Sequence, residues 1–170
     1  MDCVLIIKAK RKDSFVKDRD GHKVDRNRRG IIILFTHGNG YKLALKNESC
    51  FSSENEDGGC YDPPELNVSI KDSKLYLHYN YGRYGFWEYC FRYHSSDFML
   101  IGYEKSRNYG AKVARLSINF LTGIKFVDKN IHGDDYEKET ELKRAIYKLP
   151  RKPLMRLSKI RDLDEVRFAE

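Results

Sequence analysis

The chain has 170 residues, of which 41% are hydrophobic and 34% charged, with a formal net charge of +7. Length and balance exclude a disordered chain and leave room for one domain with its own core rather than two comfortable ones. The basic charge favours nucleic acid, an anionic surface or an acidic protein as partner, and the longest apolar run, Ile31 to Phe35, is far below the roughly 20 residues of a membrane-spanning helix.

Cys3 to Lys10 opens as a continuous apolar run and predicts a buried strand. Val4 to Ile7 is too short for the apolar core of a signal peptide, so no leader is expected in the chain as written. Arg11 to Arg29 is a polar insertion with Asp20-Gly21 as a turn signal, and it suits a hairpin. Gly30 to Thr36 (GIIILFT), rich in β-branched residues, predicts a central strand. His37-Gly38-Asn39-Gly40 turns the chain into Tyr41 to Lys46, which alternates apolar and polar residues.

Asn47 to Glu65 is expected as a loop, with Gly58-Gly59 and Pro63-Pro64 opposing regular structure. Leu66 to Lys71 and Leu75 to Tyr79 alternate cleanly on either side of Asp72-Ser73 and predict a hairpin. Asn80 to Gly85 is the tip of the next connection. In the strand that follows, Trp87, Tyr89, Phe91 and Tyr93 form a stripe on one side. Such a stripe could line a groove, but a small β domain needs its apolar area, and burial against Leu66, Val68, Ile70, Leu75 and Leu77 is the favoured reading. Ser95-Ser96 turns into Phe98 to Tyr103, and Val113 to Leu121 and Ile124 to Val127 complete the strand series. Beyond it, Asp134 to Lys148 suits a short helix broken by Pro150 and Pro153.

The expected fold is therefore all-β, an antiparallel meander of about eight or nine short strands forming a sandwich, barrel or propeller-like arrangement. Residues 1–128 make the β domain, and residues 129–170 a helical or extended basic tail.

The best binding candidate is the tip, where Gly82 and Gly85 allow the turn and Tyr81, Arg83 and Tyr84 are side chains that interfaces favour. Two basic clusters are candidates for an anionic partner. They are Arg26, Arg28 and Arg29, and a tail from Lys143 to Arg161 that contains Arg151 and Lys152 and has no acidic residue within it. Glu54, Glu56 and Asp57, and separately Asp18 to Gly21, are acidic loops that lack the spacing of a calcium loop. Cys3 and Cys90 read as core residues. Cys50 and Cys60 flank an acidic loop and fit either a bridge or free thiols. The histidines are scattered, and no catalytic, phosphate-cradling or dinucleotide motif is present. No catalytic residue, cofactor or metal ligand is assigned. A non-catalytic module binding a protein or glycan through loops leads, followed by a binder of nucleic acid or an anionic surface. A hydrolase with a site assembled from distant residues stands third.

A chain of short motifs spans most of the sequence. It runs through Asp2 to Lys8, Arg29 to Phe35, Gly40 to Leu43, Gly58-Gly59 with Asp62-Pro63, Trp87, Phe91-Arg92-Tyr93, Phe98 to Tyr103, Ser117 to Gly123 and Lys152-Pro153-Leu154. In order and spacing it resembles a family of Bacteroides-type bacterial β-rich proteins related to FG-GAP/VCBS-type repeat proteins. The resemblance implies a β-rich fold, frequent export to the cell envelope and no established catalytic activity. Members usually open with an acidic, calcium-loop-like segment just before the strand matched by Asp2 to Lys8. Its ligand residues are not in this chain, so that role does not carry over. A reading frame extending upstream of Met1 would restore them.

Overall fold

The computed structural model describes residues 2–18, 20–55, 64–109, 111–133, 135 and 137–168, with the side chains of 109 and 111–113 set aside. The chain is all-β and antiparallel, and divides into two compact units.

The first unit comprises Met1–Pro63, Ser95–Phe98 and Arg156–Glu170. Its three-stranded sheet has the order β1 (Cys3–Lys8), β4 (Arg29–His37), β5 (Gly40–Phe51), and β2 (Phe15–Lys17) pairs β3 (Lys23–Asp25) as the hairpin expected from the polar insertion. The segment expected as a loop from Asn47 is still strand as far as Phe51. The reason is a bulge: Arg29 lies opposite Phe51 and Ile31 opposite Asn47, so the stretch of β5 between them bows past Gly30. A Cβ on Gly30 would sit 2.2 Å from the Asn47 carbonyl oxygen, which is why only glycine fits there.

The C-terminal residues are anchored to this unit by burial and by one amide. Leu157, Ile160 and Leu163 are buried, as are Ile31, Ile33, Leu45 and Phe51. The buried Asn47 Nδ2 donates to the carbonyls of Leu157 (2.7 Å) and Ile160 (2.8 Å) on either side of the 3-10 turn Leu157–Lys159. Ser158 Oγ donates to Asp97 Oδ2 at 2.5 Å.

The second unit comprises Pro64–His94 and Met99–Met155. Most of a seven-stranded meander lies in it, in the order β12-β11-β10-β9-β8-β7-β6. The strands are β6 (Glu65–Lys71), β7 (Lys74–Asn80), β8 (Gly85–His94), β9 (Asp97–Tyr109), β10 (Ala111–Asn119), β11 (Ile124–Asn130) and β12 (Leu142–Lys148). Asp72 and Ser73, like Ser95 and Ser96, take positive φ as a pair, the backbone of a two-residue hairpin turn.

The aromatic stripe is core. Tyr79 lies opposite Trp87, Leu77 opposite Tyr89 and Leu75 opposite Phe91, and all of these side chains are buried. Tyr89 also meets Tyr103 of β9 with ring centroids 4.8 Å apart. Only Tyr93, at the end of the stripe, is exposed. Each fully buried aromatic contributes on the order of 2–3 kcal/mol.

The helix expected over 134–148 does not form. Leu142 to Lys148 is β12, paired along its whole length with β11. Ile146 and Tyr147 favour extended backbone. Cross-strand pairs also reward it: Asp128 accepts both Arg144 Nε (2.7 Å) and Nη2 (2.8 Å), and Lys125 lies over the Tyr147 ring.

Two substitutions test these anchors by urea unfolding. Gly30→Ala should cost about 3 kcal/mol or more because backbone must shift, whereas Gly38→Ala, at a turn with open space, should cost about 1 kcal/mol. Asn47→Ala should cost about 2–3 kcal/mol by leaving two buried carbonyls without their donor.

Candidate functional site

The tip between β7 and β8 is built to hold one shape. Tyr81 N–H donates to the Gly85 carbonyl (2.8 Å), Tyr84 N–H to the Tyr81 carbonyl (3.2 Å), and Asn80 Oδ1 accepts Gly82 N–H (3.0 Å). Gly85, at φ +115°, closes the turn so tightly that a Cβ there would lie 2.1 Å from the Ser106 carbonyl oxygen of β9. The side chains are also tied together. Trp87 Nε1 donates to Tyr81 Oη (3.0 Å), and Arg83 donates from Nε (2.9 Å) and Nη2 (2.7 Å) to Tyr84 Oη. Tyr81, Arg83 and Tyr84, the trio expected to meet a partner, are thus held together in one turn. Arg83 is exposed, Tyr81 is 39% exposed and Tyr84 is half-buried.

Beside the tip is a pocket of about 190 Å³ lined by Tyr81, Tyr84, Phe86, Trp87, Lys105 and Arg107, with backbone from Gly85 and its neighbours. Trp87 is only 7% exposed and supports this pocket more than it presents a face to it. Lys105 and Arg107 are exposed cations that the sequence reading did not single out. They alternate with Glu104, Ser106 and Asn108 along β9 and reach the tip only through β8–β9 pairing, so no local signal marks them. No carboxylate lines the pocket.

The opposite side of the sheet carries a wider cleft of about 320 Å³ centred on Gly102, whose lining includes Tyr76, Glu88, Cys90, Arg92, Glu104 and Ser117. Its acids are engaged in pairing. Glu88 meets His78 Nδ1 at 3.2 Å, and Glu104 meets Arg115 at 2.5 Å. Burial holds the Cys90 thiol above its ordinary pKa, against the lowering effect of the Tyr76 hydroxyl. This face holds the sheet together by cross-strand pairs.

The basic clusters expected from the sequence are divided between the units. Arg26, Arg28 and Arg29 belong to the first, while Arg151 and Lys152 are exposed in the second. Arg28 donates from Nε to the Ser49 carbonyl (2.9 Å) and pairs with Asp162 (2.8 Å), and Arg29 Nε donates to the Ser52 carbonyl (3.0 Å). These guanidinium groups bind the bowed end of β5, and Arg26 is half-buried.

Glu56, Asp57 and Cys60 lie outside the described residues, and with them most of the acidic-loop site. Glu54 pairs with Lys8 at 2.7 Å. Cys50 is a free thiol whose burial pushes its pKa up to about 12. Asp18, Asp20 and His22 gather within 4.8 Å, but Asp18 Oδ1 already accepts the backbone N–H of Asp20 and of His22, which makes the group a turn that bonds to itself.

No protein-family model, curated protein or solved structure matches the chain.

Two measurements follow from this geometry. The single tryptophan reports on the tip, so Tyr81→Ala should shift Trp87 emission to the red, raise its quenching by acrylamide and cost about 1 kcal/mol, while Tyr93→Ala should leave emission unchanged. In alkylation at pH 8 mapped by mass spectrometry, Cys50 should stay unmodified until the protein is unfolded, because its thiol is both buried and protonated there.

Proposed function

We propose that the chain is a non-catalytic interaction module that engages its partner through the Tyr81–Gly85 tip. The observation that carries this reading is an exposed tyrosine–arginine–tyrosine cluster held in one conformation by the backbone turn and by its own side-chain hydrogen bonds. An ordered aromatic surface loses little entropy on binding, and such residues concentrate interface energy. The pocket beside it accepts one ring or one charged group, a size that suits a protein side chain or a sugar.

A second reading, a binder of nucleic acid or another anionic surface, gains from one observation. Lys105 and Arg107 supply the pocket's charge, and its lining among the described residues includes no carboxylate. Tip and cations together form a donor-rich surface suited to an anionic partner.

The test is a triple substitution, Tyr81→Ala, Arg83→Ala and Tyr84→Ala, screened beside the wild type on a glycan array and on oligonucleotides. Ligands held by the wild type should weaken at least tenfold, about 1.4 kcal/mol. Unchanged affinity for all of them, in a variant with wild-type circular dichroism, would remove the tip from the binding surface.

A further inference from the structure

Strand register places more charge beside the tip than the pocket shows. In an antiparallel pair, directly opposed residues share a side of the sheet. Arg107 of β9 lies opposite Ala114 of β10, Ala114 opposite Lys129 of β11, and Lys129 opposite Lys143 of β12. The next row holds Lys105, Leu116, Val127 and Ala145. Cations on β9, β11 and β12, with Ala114 of β10 among them, therefore line up across four adjacent strands on one side, and at the usual strand spacing the line covers about 14 Å.

The tip stands at the start of this line. A Cβ on Gly85 would be 3.2 Å from the Arg107 Cα, so Tyr84 and Gly85 adjoin the row. Lys105, Arg107, Lys129 and Lys143 are all exposed, and among the described residues Lys105, Lys129 and Lys143 make no ion pair. The acids sit on the other side. Glu104 and Asp128 fall on the alternate positions of β9 and β11, where they meet Arg115 and Arg144. From Met99 to Arg107 and across β11 and β12, the Arg107 side carries no carboxylate. Exposed cations in a row, with small Ala114 between Arg107 and Lys129, give this part of the sheet a surface of uniform sign. A folded chain ordinarily intersperses its surface charges.

We propose that this row, continuous with the tip, binds single-stranded nucleic acid: Arg107, Lys129 and Lys143, with Lys105 beside them, track the phosphates, and Tyr81 takes a base at the end of the row. The proposal rests on the tip being a binding surface and names its ligand class. A single strand fits better than a duplex or a sulfated glycan. The cations lie on a sheet face rather than on an element shaped for a groove, and the row ends on an aromatic that stacks on any base. A sulfated glycan has no use for that aromatic beyond its sugar rings. The ligand would be held with little sequence preference, because nothing in the row reads base edges.

The experiment is fluorescence anisotropy of the full chain with labelled oligo(dT) and oligo(U), over a salt series, with heparin and duplex DNA as competitors. Neutralising about four phosphates on a single strand predicts a slope of log K against log salt of about −3. Lys129→Glu with Lys143→Glu should weaken binding at least tenfold at low salt and, by removing two phosphate contacts, make the slope shallower by about 1.4. The control is Lys71→Glu with Lys148→Glu, the same charge change on the opposite side of the sheet, and it should change affinity less than threefold. The milder pair Lys129→Gln with Lys143→Gln should follow the reversal in direction, which guards against a folding defect.

Equal loss in row and control variants would reduce the effect to net charge and overturn the proposal. So would heparin or duplex binding more tightly than either oligonucleotide, or failure of the wild type to bind either at low salt. Tyr81→Ala separates the two readings. Weaker oligonucleotide binding with it supports a continuous site, whereas full binding with it and loss with the row variants would leave the row standing and remove the tip.

Discussion

The pairing of β7 with β8 is the constraint on which the second unit depends. Tyr79, Leu77 and Leu75 face Trp87, Tyr89 and Phe91 across one ladder, and all are buried. A slip of one residue would turn Trp87, Tyr89 and Phe91 into water and bring Glu88, Cys90 and Arg92 to the core. The stripe therefore fixes the register, and register fixes everything projected from the sheet. The tip follows directly: Gly85 must pass the Ser106 carbonyl with no side chain, and Trp87 must sit where its indole reaches Tyr81.

The same alternation sorts charge. Along β9, β11 and β12 one side carries Lys105, Lys129 and Lys143 with no carboxylate beside them, while on the other Glu104 meets Arg115 of β10 and Asp128 meets Arg144. Lys125 marks where the first side becomes interior. It is 4% exposed, and its ammonium lies over the Tyr147 ring instead of in water. Core and exposed basic row are thus successive parts of a single surface, so a mutation that loosens the aromatic stripe would disturb the row without touching any lysine.

What was legible in the sequence was what depends on near neighbours in the chain. Two-residue periodicity located the strands from β6 to β11, and Asp72-Ser73 and Ser95-Ser96 announced their turns through residues that tolerate positive φ. The stripe's apolar area points to core, and Trp87, Tyr89 and Phe91 are buried, whereas Tyr93 and, of the residues expected to pack on the stripe, Ile70 are exposed. The tip was legible because glycines and tyrosines crowd a short connection. What was missed depends on partners far away in the chain. Leu142 to Lys148 looks helical in isolation, and becomes a strand because β11 offers an unpaired edge and Asp128 a carboxylate. The extension of β5 follows from a bulge opposite Gly30 that no local pattern shows. Arg28 and Arg29 look like a basic patch until Ser49, Ser52 and Asp162 are seen to take their donors. Lys129 and Lys143 lie far from Arg107 in sequence, and become its companions only through two and three consecutive registers.

The outer margin of the sheet has a further consequence. Among the described residues β12 is paired on one side only and carries large apolar side chains, Ile146 being 66% exposed, which is the kind of rim that recruits another strand. Lys143 and Lys148 along that rim make two copies repel when aligned side by side. A polyanion resting on Lys143 would lift part of that repulsion. On the reading proposed for the row, filling it and joining chains into larger assemblies become linked through a single strand, with ionic strength acting on both in opposite directions.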